Sequence, residues 1–427
     1  MLDLSKEDLP AHAILAAVEL PDTNEEEVQH SLDELARLAK TLGLVVGKRF
    51  VQKRQHIDPK AVFGQGKVQE LADEVERLTT SEPEREVVVL LDLDVSPSQI
   101  RQLSQAVKAD VYDRTGVILD IFHRHAKSRQ AKTQVEIVRL TYLTPRMREL
   151  GKRKGERQGG GIGGKGKGES HMELDRRKVR DRIAELRLEL LRIEEERSVQ
   201  RARRQQLRRV ALVGYTNAGK STLMRALTGS DVYVADKLFA TLDTTVRNLH
   251  PPVDPPIVVS DTVGFIRKLP HDLVASFKST LDEALEASLL LQIVDAADPA
   301  FPKHVETTEA VLTEIGAETI PMQLVFNKWD QVTDLAVAER LCQTYPNAWR
   351  ISAKNERDVA RVREGIIGFF EGQKLETTVL IPHSKGNLRA QLYANAEVLA
   401  ESYDEEGGHY RVRITPEMLA RITAELP

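Results

Sequence analysis

The sequence predicts an α/β protein built of several units, and three observations carry that expectation. Residues 12 to about 125 and 209 to about 372 each alternate short apolar runs with segments whose apolar residues recur at helical spacing. Between them, Val179, Ile183, Leu186, Leu190 and Ile193 alternate spacings of four and three, the seam of a coiled coil. The apolar run Val210 to Val213 then opens into GYTNAGKST and the helical LMRALTG, in the order strand, loop, helix. A chain of 427 residues also exceeds one ordinary core. Four units are therefore expected: an α/β domain over 1–125, a helical hairpin over 126–208, a second α/β domain over 209–372, and a small α+β unit over 373–427.

In the first unit, HAILAAVEL reads as a strand and EEEVQHSLDELARLAKTLGL as a helix running to a glycine stop. EVVVLLDLD, Glu86 to Asp94, is a short continuous apolar run of a buried strand. SPSQIRQLSQAVKA follows with a serine cap and helical pattern. In the second unit, QVEIVRLTYLTPRMREL is helical up to Pro145, which is expected to end or kink the helix. A second helix over Met172 to about Arg209 carries the seam, so the two form an antiparallel hairpin around a flexible connection. In the last unit TTVLIP reads as a strand, NLRAQLYANAEVLAES as a helix, and HYRVRI as a strand after the turn DEEGG.

Composition bounds the function. The chain is 41% apolar and 30% charged, with a net charge of −4, so attraction to nucleic acid must come from local patches. A single cysteine, Cys342, permits no internal disulfide and suits a reducing compartment. No apolar run approaches the ~20 residues of a membrane helix. The start MLDLSKEDLP is acidic and lacks a signal peptide's basic start and apolar stretch. A cytoplasmic monomer is expected. His123, His125 and His171 form no metal-ligand set.

The chemistry is concentrated in the third unit. Backbone N–H groups over Gly214, Tyr215, Thr216, Asn217, Ala218, Gly219, Lys220, Ser221 and Thr222 are expected to face phosphates at a helix N-terminus. Lys220 brings a point charge to the β and γ oxygens, and the Ser221 hydroxyl can ligate Mg2+. DTVG follows the apolar IVVS: Asp261 is suited to hold Mg2+, Thr262 and Val263 complete the loop, and the Gly264 amide can meet a γ-phosphate. NKWD, Asn327, Lys328, Trp329 and Asp330, ends the run MQLVF. The Asp330 carboxylate can accept from the N1 and N2 donors of guanine, a pair adenine lacks, which selects GTP over ATP. Ser352, Ala353 and Lys354 follow Trp349 to Ile351 and would support the base. Four such motifs in order, each after a strand, identify a P-loop GTPase domain. Within LFATLDTT, Thr241, Thr244 and Thr245 could each complete the Mg2+ shell in a switch loop, and pattern does not choose among them. Phe265 stands where Ras-like proteins place the glutamine that orients the attacking water. Slow intrinsic hydrolysis, raised by a large partner, is the expectation.

GGGIGGKGKGES, Gly159 to Ser170, imitates a phosphate loop but lacks a preceding strand, and Gly168 stands where the Mg2+ ligand belongs. Between Arg146 and Gly168 eight Lys or Arg face two Glu. Such a segment reads as a solvated linker or as a basic finger against RNA phosphates, without aromatic residues for stacking.

Several stretches resemble the HflX-type GTPases, a branch related to Obg: GYTNAGKST, LFATLD, DTVGFIRKLPHDLVASFKSTL, DRTGVILDIF and FGQGK, Phe63 to Lys67. The resemblance spans nearly the whole chain and is loosest in the last unit. It implies an N-terminal α/β domain, a hairpin, a G domain and a small C-terminal domain. It also implies binding to the large ribosomal subunit and its RNA, and splitting of stalled or idle ribosomes in the GTP state. It assigns the switch threonine to Thr241, which puts Phe239, Ala240, Thr241, Leu242 and Asp243 around the nucleotide. Lys220, Thr241 and Gly264 become the catalytic set, and Ser221, Thr241 and Asp261 the Mg2+ ligands. The family's GPGET-x-x-E-x-DRR reads GKGESHMELDRR here, with Lys167 for proline and Ser170 for threonine. The alternative is an RNA-dependent NTPase or remodelling enzyme with a second nucleotide site in the N-terminal domain, although FGQGK lacks a full phosphate-loop pattern. A scaffold that binds GTP without hydrolysing it is a third reading.

Overall fold

The computed structural model describes residues 10–157, 167–202, 208–229, 238–239, 245–267, 283–372, 375–414 and 416–426. The chain opens with β1 (His12–Glu19), α1 (Glu25–Thr41), β2 (Val45–Lys53), α2 (Gln65–Ser81), β3 (Val87–Leu91), α3 (Pro97–Val107), β4 (Asp110–Asp113) and α4 (Arg114–His125). The strands form one parallel sheet in the order β2-β1-β3-β4. Because successive side chains leave a strand on opposite faces, Leu15 and Leu90 join the apolar layer under α1 and α4. Ile14 and Val89 join the layer that includes Leu71 of α2 and Leu103 of α3. The helix starts follow their caps: Asn24 accepts from Glu27 N at 2.7 Å, and Ser96 forms a reciprocal capping box with Gln99 ahead of Pro97. FGQGK turns into α2, with Phe63 in the core and Gly64 at the N-cap.

Two long helices follow, α5 (Arg129–Arg157) and α6 (Lys167–Ala202). They run antiparallel, since Arg129 pairs with Glu189 while Arg182 pairs with Glu136. Along the expected seam Leu186 and Ile193 are buried, and Val179, Ile183 and Leu190 are half-buried. Pro145 does not end α5; of the two expected outcomes, an end or a kink, the first does not occur. The turn around it is held from outside: Tyr142 Oη donates to Asp113 Oδ1 at 2.6 Å, and Arg146 donates to Asp113 Oδ2 at 2.7 Å. The Arg146 guanidinium also covers the Tyr142 ring at 3.5 Å. These contacts offset the missing N–H and the ring's crowding, together ordinarily worth ~3 kcal/mol. Lys167 to Ser170, expected in the glycine-rich connection, already belong to α6; residues 158–166 lie outside the described residues.

The third unit contains β5 (Arg208–Gly214), α7 (Lys220–Thr228), β6 (Thr245–Asn248), β7 (Ile257–Asp261), β8 (Leu289–Asp295), α8 (Phe301–Ile315), β9 (Met322–Asn327), α9 (Leu335–Thr344), β10 (Trp349–Arg350) and α10 (Glu356–Gly372). Its sheet has the order β10-β9-β8-β5-β7-β6, parallel except for β6. The carboxyl ends of β5, β7, β9 and β10 therefore lie along one edge, where such sheets bind ligands. The last unit pairs β11 (Leu375–Pro382), β13 (Gly407–Ile414) and β12 (Glu397–Tyr403) antiparallel, with α11 (Gly386–Asn395) and α12 (Pro416–Ala424). The helix expected through Ser402 thus stops at Asn395. Leu388 and Leu392 supply its buried stripe, after which Glu397–Tyr403 gains a ladder along β13. Asp404 fixes that hairpin by accepting from the N–H groups of Glu406 and Gly407.

Candidate nucleotide site

The loop after β5 turns where only glycine fits. Gly214 has φ +140°, and a Cβ there would lie 2.2 Å from Ile293 O on β8. Gly219 has φ +96°, and a Cβ there would lie 2.1 Å from Asn327 Nδ2. Asn327 thereby ties three motifs together. Its Nδ2 donates to Ala218 O and its Oδ1 accepts from Ala353 N, both at 2.9 Å. The DTVG segment closes on the same loop, with Thr216 N donating to Phe265 O at 2.8 Å and Phe265 N to Gly214 O at 3.1 Å. Gly264 is required by this approach, since a Cβ would stand 2.8 Å from Thr216 Cα and 3.0 Å from Lys220 Nζ.

Lys220 is buried, and its Nζ donates to Gly214 O at 3.0 Å and Tyr215 O at 2.8 Å. Burial pushes its ammonium down to about 8, against the pull of Asp261. The charged form therefore costs folding stability below about pH 8, and that cost is relieved as pH rises toward the ordinary 10.5. A bound nucleotide's β-phosphate oxygens would draw the pKa back up, so binding should take up a proton above about pH 8. GDP affinity is then expected to fall as pH rises past that point, approaching about tenfold per unit. Calorimetry between about pH 7 and about pH 9, in buffers of different ionisation enthalpy, reads the uptake. A flat affinity without uptake contradicts the assignment.

Ser221 Oγ donates to Asp261 Oδ2 at 2.7 Å. This hydroxyl and carboxylate, adjacent at the loop's foot, are the hard oxygen donors that Mg2+ takes. Thr262 is buried and its hydroxyl donates to Leu212 O, so its side chain secures β5. At the base end Lys328 adopts φ 57° and pairs with Asp295 at 2.6 Å. Trp329 packs beside Phe326, and Asp330 is exposed. Ser352 N donates to Asp358 Oδ2, which holds the Ser352–Lys354 turn against α10. Phe265 is core, packed with Val213, Leu290 and Val311, and offers nothing to a water. Ala240, Thr241, Leu242 and Asp243 lie outside the described residues, while Phe239 is buried in the N-terminal domain's apolar layer, in the same cluster as Tyr215 of the phosphate loop.

The N-terminal domain contributes neighbours that no motif of the third unit announces. Tyr215 Oη donates to Glu34 of α1 at 2.5 Å and accepts from Arg267 N at 2.7 Å, and its ring stacks on His304 at 3.8 Å. Arg114, 1% exposed, bridges Glu34 at 2.5 Å and Asp92 at 2.7 Å. Glu27 accepts from Arg267 at 2.5 Å and Lys303 at 2.9 Å; the lysine and then, against burial, the arginine hold it below the usual carboxylate range. The readable signal was Glu34 itself, a carboxylate on the buried face of α1 among Ser31, Leu35 and Leu38.

Three family models match in sequence: "GTP-binding GTPase N-terminal" over 29–123, "GTP-binding GTPase Middle Region" over 125–204 and "50S ribosome-binding GTPase" over 209–328. The GTPase HflX of Gluconacetobacter diazotrophicus is 46% identical over 97% of both chains. That of Escherichia coli is 39% identical over 88% of this chain and 87% of its own. A crystal structure of a Sulfolobus solfataricus GTP-binding protein with GDP aligns over 84% of this chain and 98% of its own, at 22% identity and a TM-score of 0.44. No helix among the described residues is long and apolar enough to cross a membrane. With the four motifs gathered at one sheet edge and relatives matching over most of the chain, the chain is a GTPase belonging to the HflX family.

Proposed function

We propose that this GTPase is a switch whose GTP form binds the large ribosomal subunit and splits stalled or idle ribosomes, with hydrolysis stimulated by the ribosome. The observation that carries the reading is the pairing of a GTP site with the antiparallel hairpin α5–α6, whose connection is rich in lysine and glycine. The match of residues 209–328 to a family described as ribosome-binding supports it. Acting as a monomer in the cytoplasm, the protein would meet RNA phosphates with the hairpin end, a contact sensitive to salt.

In this reading Asp330 accepts from guanine, with Asn327 and the Ser352–Lys354 turn behind it. Lys220 and the Gly264 amide address the γ-phosphate. Ser221, Asp261 and Thr241 would hold Mg2+, which, when bound, neutralises charge on the β and γ oxygens. Water attacks the terminal phosphorus and the bond to the β–γ bridging oxygen breaks, leaving GDP and phosphate. The buried Phe265 supports a requirement for an outside group to position that water. Purified large subunits are therefore expected to raise phosphate release at least about tenfold, well within what a partner-supplied group can give. Deleting Gly159 to Gly168 should remove most of that stimulation. Equal rates with and without subunits, in low salt, would overturn the proposal. The second reading, a nucleotide site at FGQGK, is not favoured, since Phe63 and Gly64 serve the core and cap of α2.

A further inference from the structure

The hydroxyl groups around the phosphate loop have partners in the fold, with one exception. Ser221 Oγ donates to Asp261, Thr262 Oγ1 to Leu212 O, and Tyr215 Oη to Glu34. Thr216 is 7% exposed, and its Oγ1 is buried with no hydrogen-bond partner among the described residues. A buried hydroxyl in that condition is a net cost to the fold, and a valine of the same shape would fill the place without it. Such a group is explained when a ligand supplies the partner.

The backbone of Thr216 narrows what it can offer. Its N–H, expected to face phosphates, is taken by Phe265 O at 2.8 Å. The hydroxyl is what remains for a nucleotide. Its surroundings say which phosphate it meets. A Cβ built on Gly264 would stand 2.8 Å from Thr216 Cγ2 and 3.0 Å from Lys220 Nζ. The Thr216 side chain and the Lys220 ammonium therefore converge on one point beside Gly264, whose amide addresses the γ-phosphate in the reading above. Methyl and hydroxyl share one Cβ, and a turn about χ1 moves the hydroxyl among the staggered positions there.

We propose that Thr216 is a further catalytic residue, whose hydroxyl donates a hydrogen bond to a terminal phosphate oxygen of GTP. GDP lacks that oxygen, so the contact separates triphosphate from diphosphate. It also steadies the phosphoryl group under attack, next to a Phe265 that offers the water nothing. The inference rests on the placement of the γ-phosphate beside Lys220 and Gly264, and adds one group to that site.

Affinities for GDP and for a non-hydrolysable GTP analogue test it, measured on the full chain as wild type, Thr216→Val, Thr216→Ser and Lys220→Ala. Thr216→Val keeps the shape and removes the donor. It is expected to lower the ratio of analogue to GDP affinity at least about tenfold, the loss of one hydrogen bond to a charged acceptor. Thr216→Ser keeps the donor and should hold the ratio within about threefold of wild type. GTP turnover is expected to fall in the valine variant and to recover with serine. Both affinities are read on one variant, so a general loss of folding moves them together and leaves their ratio. Should Thr216→Val fold poorly, Thr216→Ala removes the same donor without added bulk. A ratio unchanged by Thr216→Val, while Lys220→Ala weakens the analogue, would overturn the role of Thr216 alone. Analogue binding unchanged in both variants would overturn the γ-phosphate placement, and this inference with it.

Discussion

Replacing Lys220 with alanine is expected to lower GTP turnover by roughly 10²–10³-fold, the usual cost of removing one preorganised charge from a site of developing negative charge. The lysine's position makes the expectation specific. Its ammonium is buried against Gly214 and Tyr215 carbonyls, close to where a Cβ on Gly264 would sit, so it lies where the phosphate loop and the DTVG motif meet. The same burial pushes its pKa down to about 8, so the folded protein carries a charge it would rather shed. Alanine also removes two hydrogen bonds and buried methylene contacts, so the melting temperature is to be read beside the turnover. Turnover and melting measured on one preparation therefore separate lost chemistry from lost folding. Turnover within about threefold of wild type would remove Lys220 from the catalytic set.

Asp330→Asn is expected to weaken GTP binding by about 10²–10⁴-fold, the loss of two hydrogen bonds to a charged acceptor at ~1.5–3 kcal/mol each. An asparagine can instead donate to the C2 carbonyl of xanthine, so xanthosine nucleotides should gain what guanosine nucleotides lose. Asp330 is exposed on the short 3-10 turn Trp329–Gln331, so the change should not disturb the fold. Competition of a labelled guanine nucleotide by XDP and GDP reads the exchange of specificity. Unchanged GTP affinity, with no gain for xanthosine, would place base recognition elsewhere.

What was legible in the sequence was what is local. β3, β5 and β7 are short apolar runs, and each opens a motif or element whose spacing is set within a dozen residues. The site's glycines were readable for the same reason: Gly214 and Gly219 take conformations that only a glycine tolerates at those contacts. What was not legible depends on distant partners. Pro145 stays helical because Asp113, over thirty positions earlier, holds Tyr142 and Arg146. Glu397–Tyr403 becomes a strand because β13 offers an edge, overriding a pattern that also suits a helix. The pairing of Glu34 with Tyr215 crosses 181 positions, and no local periodicity encodes it. The burial of Phe239 in one cluster with Phe122 and Tyr215 likewise joins residues far apart in the chain.

In the proposed function, the phosphate state of the third unit governs how tightly the whole molecule holds the large ribosomal subunit. Equilibrium binding of the full chain to purified large subunits, loaded in turn with GDP and with a non-hydrolysable GTP analogue, tests it most directly. Binding is expected to be at least about tenfold tighter with the analogue, a coupling of ~1.4 kcal/mol. Equal affinity in the two states would contradict it.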